Sequence, residues 1–118
     1  MEKDPSGISA DARGAKLDSG KAPIYRGVIQ YFPKSLRSIA LLSKKGAIKY
    51  SWHGWSAVQD AVPRYTDAMQ RHLLDEQDKG FYDDSEGGTG LPHATCVAWN
   101  ALARLEKLLE EQEELENA

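Results

Sequence analysis

Two segments of the chain repeat apolar residues at the three- and four-residue steps of an amphipathic helix. The first begins at Pro33, which suits a first helical position, and we expect it to end near Gly46 after about three turns. The other begins near Pro92 and carries a long apolar stripe as far as Leu115. These patterns predict two helices that each bury one face.

A third helical stripe lies between them, from Val58 to Glu76. Ser56 and Gln59 have the spacing of a capping box, which predicts that this helix begins beside them. Pro63 then predicts either a kink or a restart one turn later, because proline cannot donate a helical hydrogen bond. The chain as a whole is predicted to be all-α.

The remaining segments are predicted from composition. Residues 1–15 are rich in small and charged residues and are expected to form a flexible N-terminal arm. The run at 28–32 is aromatic and β-branched, which favours a short strand or an extended segment. We expect a central domain over residues 16–105 and an acidic helix end over 106–118, where six glutamates face one lysine.

The chain has 118 residues, which fits one small domain, and a domain of this size gains from completing its core by self-association. Its single cysteine, Cys96, excludes both an internal disulfide and a cysteine-based zinc site and fits a reducing, cytoplasmic setting. No apolar stretch is long enough to cross a bilayer, and the N-terminus lacks the apolar segment of a signal peptide. Neither membrane insertion nor secretion is expected.

Charge is segregated along the chain. Residues 16–49 carry eight basic side chains against one acid, whereas residues 60–86 carry eight acids against three basic side chains. A basic region suits phosphate and an acidic region suits a divalent cation, so together they predict a metal-dependent site that handles phosphate groups. The alternative is ordinary surface charge that clusters by chance.

His72 and Glu76 are one helical turn apart, so both can reach a single metal ion or water. The alternative is a core histidine hydrogen-bonded to a neighbour. Carboxylates from Asp67, from Asp75 or Glu76, and from Asp83, Asp84 and Glu86 in the glycine-rich loop at 80–91 can meet at one end of a helical hairpin, and their oxygens are the ligands that Mg²⁺ prefers.

His93 precedes Asn100 by seven residues, which puts the two on one side of the last helix. A thiol nucleophile at Cys96 is disfavoured, because no second cysteine accompanies it. There is no glycine-rich nucleotide loop of the Walker or dinucleotide type and no nucleophile elbow. Trp55 and Trp52 can stack on a base, although two tryptophans in a small domain are more often core or interface residues.

Several ordered pieces of the sequence resemble the dATP/dGTP diphosphohydrolase-like proteins found widely in bacteriophages. The pieces that carry the resemblance are Lys16–Pro23, Pro33 with Leu36, Gly46–Tyr50 with Trp55, Arg64–Tyr65 with Ala68, Arg71–Leu73, Asp84–Glu86, Gly90–His93 and Asn100–Leu102. The family is similar to the MazG-like pyrophosphohydrolases, which use Mg²⁺ to cut between the α and β phosphates. The resemblance therefore implies an all-α helical bundle of MazG-like type, completed by oligomerisation, with an extended N-terminal arm.

The resemblance also implies roles for individual residues. The residues that it implies near the nucleotide are Lys16, Asp18, Lys21, Lys49 and Tyr50. In addition, we expect Trp55 and its loop to stack on the base. Those implied around the reaction centre are Arg71, His72 and His93, with Asp84 and Glu86. We expect Mg²⁺, for which Mn²⁺ can substitute, to be held by carboxylates from Asp67, Glu76, Asp84 and Glu86.

The sequence thus predicts an enzyme that hydrolyses a purine deoxynucleoside triphosphate, dGTP or dATP, to the monophosphate and pyrophosphate. A homodimer or homotetramer in the cytoplasm is expected, in the host cytoplasm if the chain is phage-encoded, with neither membrane nor nucleic acid as a partner. The alternative is a non-enzymatic module that binds nucleic acid or another protein. A third possibility is an inactive relative, since Cys96 stands where many relatives have a histidine and Phe81 where a glutamate is common.

Overall fold

The computed structural model describes residues 1–118 and divides them into two compact units, Met1–Phe32 and Pro33–Ala118. Its regular structure is helical, and the only β-type pairings are two isolated bridges. The elements are a π-helical turn at Tyr25–Ile29, α1 at Pro33–Lys49, a 3₁₀ turn at Gly54–Ala57, α2 at Ala61–Lys79 and α3 at His93–Glu116. The all-α prediction is confirmed. No helix combines the length and the apolarity needed to span a bilayer.

The N-terminal unit is organised around the carboxylate of Asp4, which is buried. This carboxylate accepts hydrogen bonds from the backbone N–H groups of Lys16 at 3.0 Å and Ile8 at 2.8 Å, and from the hydroxyl of Ser6 at 2.8 Å. Those bonds hold the pKa of Asp4 below its ordinary value, because they stabilise the charged form. The flexible arm predicted over residues 1–15 stays a prediction.

The prediction of an extended segment at 28–32 is wrong. The carbonyl of Tyr25 accepts from the N–H of Gln30 at 2.9 Å, and the carbonyl of Val28 accepts from the N–H of Phe32 at 3.0 Å. These bonds satisfy the backbone within the segment itself, so the β-branched and aromatic residues need no strand partner.

Helix α1 is longer than predicted, because it continues through Gly46 to Lys49. The N–H of Tyr50 still donates to the carbonyl of Gly46 at 2.8 Å, which extends the helical bonding past the glycine. An interior glycine costs a helix only about 1 kcal/mol relative to alanine, so it weakens this helix without ending it.

The predicted capping box at the start of α2 is also wrong. The hydroxyl of Ser56 donates to the carbonyl of His53 at 2.7 Å instead, and α2 begins at Ala61, after Asp60 in a left-handed conformation with φ 53°. Pro63 therefore lies in the first turn of α2, where a backbone N–H would have no helical partner. The helix consequently starts late and needs no kink at the proline.

Helix α3 is the central element of the C-terminal unit, and it packs along α2 and against α1. Three aromatic rings join these elements edge to face: Trp55, Tyr65 on α2 and Trp99 on α3, with ring centroids 5.8–6.4 Å apart. The hydroxyl of Tyr65 donates to the carbonyl of Trp55 at 2.6 Å, and the indole N–H of Trp99 donates to the hydroxyl of Ser43 on α1 at 2.9 Å. This cluster fixes α3 relative to the other two helices.

Candidate functional site

Two histidines meet where the start of α3 lies against α2. The Nδ1 atoms of His72 and His93 are 3.0 Å apart, and their ring centroids are 5.3 Å apart. His93 is buried and His72 is half-buried. His93 is the first residue of α3, and its backbone N–H donates to the carbonyl of Phe81 at 2.9 Å, which ties it to the loop before the helix. One imidazole must donate and the other accept, so the pair shares a single proton across this contact.

The loop between α2 and α3 places Asp83 beside this pair. The carboxylate of Asp83 accepts the backbone N–H of Thr89 at 2.9 Å, while its own N–H donates to the carbonyl of Leu91 at 2.8 Å. Two glycines permit this close return of the chain. Gly90 has a φ of 74°, and a Cβ at Gly88 would lie 2.5 Å from the carbonyl oxygen of Asp83.

Cys96 completes the cluster from α3, three residues after His93 and therefore on a neighbouring part of the same helix face. Its side chain is buried, with 1% of its surface exposed, and its Sγ lies 3.5 Å from the hydroxyl of Thr89. Ligand atoms of His72, Asp83 and Cys96 all lie within 4.8 Å of one another. Three elements of the fold thus bring a nitrogen, an oxygen and a sulfur donor to one place.

The surroundings set the charge of these groups. Burial lowers the pKa of His72, although the charge of Asp83 opposes the shift. Burial opposes ionisation of Asp83, but the hydrogen bonds from Thr89 and the charges of the two histidines hold its pKa below the ordinary value. Burial raises the pKa of the Cys96 thiol. At neutral pH the cluster therefore combines a neutral imidazole, a carboxylate and a protonated thiol.

The four carboxylates predicted to bind Mg²⁺ do not converge within this chain. Asp67 and Glu76 are nine residues apart on α2, which is about 13 Å along a helix axis. Asp84 and Glu86 lie on the exposed part of the loop. Since Mg²⁺ needs several oxygen ligands at one point, this chain's own residues do not fit a magnesium site as they stand. Their role as metal ligands stays a prediction.

The residues predicted to bind nucleotide, taken together with Arg71 of the predicted reaction centre, lie on four separate segments of the chain. Lys16, Asp18 and Lys21 form a local turn in the N-terminal unit, in which the N–H of Lys21 donates to the carbonyl of Asp18 at 3.0 Å. Lys49 lies at the end of α1, with its ammonium group 5.1 Å from the ring centre of Tyr50. The other two residues are Trp55, which packs within the aromatic cluster, and Arg71, which is exposed beside His72. Their contact with a nucleotide stays a prediction.

Sequence reasoning placed too little weight on Asp83, Thr89 and Cys96. Two signals pointed to Cys96: its spacing of three residues from His93, which puts both on one helix face, and its place where many members of the similar family have a histidine. Thr89 carried no signal, because its hydrogen bonds to Asp83 and Cys96 depend on how the glycine-rich loop closes.

Fold and site together define a small all-α domain with a histidine, carboxylate and thiol centre where α2 meets α3. The family described as dATP/dGTP diphosphohydrolase, N-terminal, matches residues 11–117, and the chain belongs to this family. A protein of Salmonella phage PMBT28 named dATP/dGTP diphosphohydrolase is 33% identical to it over 85 residues. That match covers 72% of this chain but only 26% of the phage protein, so the chain spans about a quarter of its relative's length. No solved structure matches the chain.

Proposed function

We propose that this chain is a domain of an enzyme that hydrolyses dATP or dGTP to the monophosphate and pyrophosphate. The observation that carries the proposal is the family match over residues 11–117, which includes the whole histidine, carboxylate and thiol centre. The activity is the one in the name of the phage relative. The chemistry of the centre supports it.

The histidine pair can manage the proton that hydrolysis releases. A neutral imidazole can accept a proton from a water molecule that attacks a phosphorus atom, and such general-base help typically contributes about 10²- to 10⁴-fold in rate. The second imidazole, hydrogen-bonded at 3.0 Å, can receive or return that proton. Asp83 stabilises the positive charge that develops, because its carboxylate is held ionised beside them.

Binding of the triphosphate is proposed to use cationic side chains. Lys16, Lys21, Lys49 and Arg71 are the ones that the resemblance implies, with Trp55 or Tyr50 against the base. We also propose a requirement for Mg²⁺ or Mn²⁺, which would reduce the charge of the phosphates. This requirement rests on the resemblance alone.

The test is a product assay on the purified chain. dATP, dGTP, dCTP and dTTP are each incubated with Mg²⁺ or Mn²⁺, and chromatography separates monophosphate plus pyrophosphate from diphosphate plus phosphate. We expect pyrophosphate release from the purine deoxynucleotides. His72→Asn should lower the rate by at least about 100-fold, since it removes one partner of the imidazole pair.

His53→Asn is the matched control, because His53 is an exposed loop histidine whose φ of 65° asparagine tolerates well. It should keep the rate of the unmodified chain. Absence of pyrophosphate under every divalent metal would contradict the proposal, as would equal rates for the two variants. An inactive chain that binds nucleic acid in a steeply salt-dependent way would instead support the binding-module alternative.

A further inference from the structure

We propose that His72, Asp83 and Cys96 form a binding site for one divalent transition-metal ion of the Zn²⁺ class. Each residue offers one ligand atom, and the three atoms lie within 4.8 Å of one another. They come from α2, from the loop and from α3, so the fold itself brings them together. The site goes beyond the proposed function and does not require it.

The donor set decides which ion the site prefers. An imidazole nitrogen, a carboxylate oxygen and a thiolate sulfur are all accepted by Zn²⁺, whereas Mg²⁺ requires oxygen ligands in near-octahedral geometry. The Cys96 thiol becomes that thiolate by releasing its proton to solvent as the ion binds. Three protein ligands around a tetrahedral ion leave one position open, which is the arrangement of catalytic rather than structural zinc sites. A mixed site of this kind needs only one thiolate. The single cysteine therefore excludes only zinc sites that are built from several cysteines.

Neighbouring side chains hold each ligand in place. Thr89 contacts two of them, because its N–H donates to the carboxylate of Asp83 and its hydroxyl lies 3.5 Å from the sulfur of Cys96. His93 holds the ring of His72 through the 3.0 Å contact between their Nδ1 atoms. Metal ligands in proteins are commonly oriented by such an outer layer of hydrogen bonds, and its loss lowers affinity by about 10- to 100-fold.

His72 cannot bind a metal ion and accept a proton from water at the same time. A nitrogen that binds an ion has no lone pair left to accept a proton from water. The cluster therefore acts either as a metal centre or as an acid–base pair at any one time, and a binding experiment without nucleotide distinguishes the two. This experiment can succeed where the product assay fails, and the reverse also holds.

The experiment is a titration of the whole chain with Co²⁺, after treatment with a chelator and under a reducing agent. Co²⁺ takes the place of Zn²⁺ and reports its ligands by absorption: tetrahedral coordination gives visible bands, and a thiolate ligand adds a charge-transfer band in the near ultraviolet. We expect both sets of bands to saturate at one ion per chain. Zn²⁺ should abolish them, whereas an excess of Mg²⁺ should leave them unchanged.

Variants assign the bands to residues. Cys96→Ser should remove the charge-transfer band, and His72→Asn and Asp83→Asn should each weaken Co²⁺ binding by at least about 10-fold. Asp78→Asn is the matched control, since it makes the same change at an exposed carboxylate on α2. It should bind Co²⁺ as the unmodified chain does. Circular dichroism without metal verifies that each variant is folded.

Three results would overturn the proposal. The first is the absence of tetrahedral bands at saturating Co²⁺. The second is a charge-transfer band that survives in Cys96→Ser. The third is displacement of Co²⁺ by Mg²⁺ at similar concentrations, which would indicate an oxygen site elsewhere. Should Cys96→Ser fail to fold, the half-buried ligands His72 and Asp83 provide the same test.

Discussion

Replacement of Leu105 by glutamate is expected to separate an oligomer into monomers. Helix α3 is apolar on the face turned away from its buried residues, where Leu102, Leu105 and Leu109 are 50%, 50% and 51% exposed. A contiguous row of exposed leucines on a helix usually marks an interaction surface. These leucines also border a groove of about 360 Å³ between α1 and α3, lined by Trp55 and Trp99 as well. We propose that a second copy of the chain covers this face.

The charges favour a second copy as the partner. Helix α1 carries five basic side chains and no acid, while the end of α3 from Glu106 to Glu116 carries six glutamates and one lysine. Within the chain the only ion pairs are Lys79–Asp75 and Lys107–Glu110, so nothing in it pairs the basic face of α1. A second copy can place its acidic helix end there, and the association should weaken as salt rises.

The expected change in association free energy follows from the exposed area of the three leucines. Burying the remaining half of a leucine side chain is worth about 1 kcal/mol, so the three leucines of two copies contribute about 6 kcal/mol towards association. Leu105→Glu removes about 2 kcal/mol of this from a dimer and adds two charges that resist burial. The dissociation constant should therefore rise by at least about 30-fold.

Sedimentation velocity over a concentration series measures this change. The unmodified chain should shift from monomer to dimer or tetramer as concentration rises, and Leu105→Glu should stay monomeric over the same range. Leu74→Glu is the control, because it makes the same substitution at a residue of α2 that is 58% exposed and lies outside the proposed interface. A chain that is monomeric at every concentration would refute the reasoning, as would equal behaviour of the two variants.

Three smaller changes test the packing of each unit. Tyr65→Phe should lower the free energy of unfolding in urea by about 1 kcal/mol, because it removes the hydrogen bond to the carbonyl of Trp55, and Trp99→Phe should lower it by about 1–3 kcal/mol. Unchanged unfolding curves for both variants would contradict the stabilising role of the aromatic cluster. Asp4→Ala should speed hydrogen exchange at the amide of Ile8. In the unmodified chain the protection of this amide, measured against its intrinsic exchange rate at each pH, should be lost only as pH falls through the depressed pKa of Asp4, because the carboxylate's contribution is complete above its ordinary pKa. Protection that does not change in acid would exclude this bond.

The long helices could be predicted because their apolar spacing extends over many turns. The start of α3 beside Pro92 was predicted for that reason, and the structure confirms it. The boundaries that were wrong depend on weaker, local signals. Gly46 failed to end α1, and the hydroxyl of Ser56 bonded to the carbonyl of His53 instead of capping α2. In each case a preference of about 1 kcal/mol was outweighed by the surrounding structure.

The candidate site was predictable only in part, for a related reason. His72 interrupts an apolar stripe, and that interruption is visible in the sequence. The sequence does not show whether Asp83 or Asp84 faces the histidines, because the side chains of adjacent loop residues point in different directions. The hydrogen bond from Thr89 to Asp83 and the close approach of the chain at Gly88 select Asp83. That choice changes the predicted chemistry. Exposed carboxylates alone indicate Mg²⁺, whereas one carboxylate beside an imidazole and a buried thiol indicates a softer ion, so the metal proposed for this site depends on the geometry of one loop.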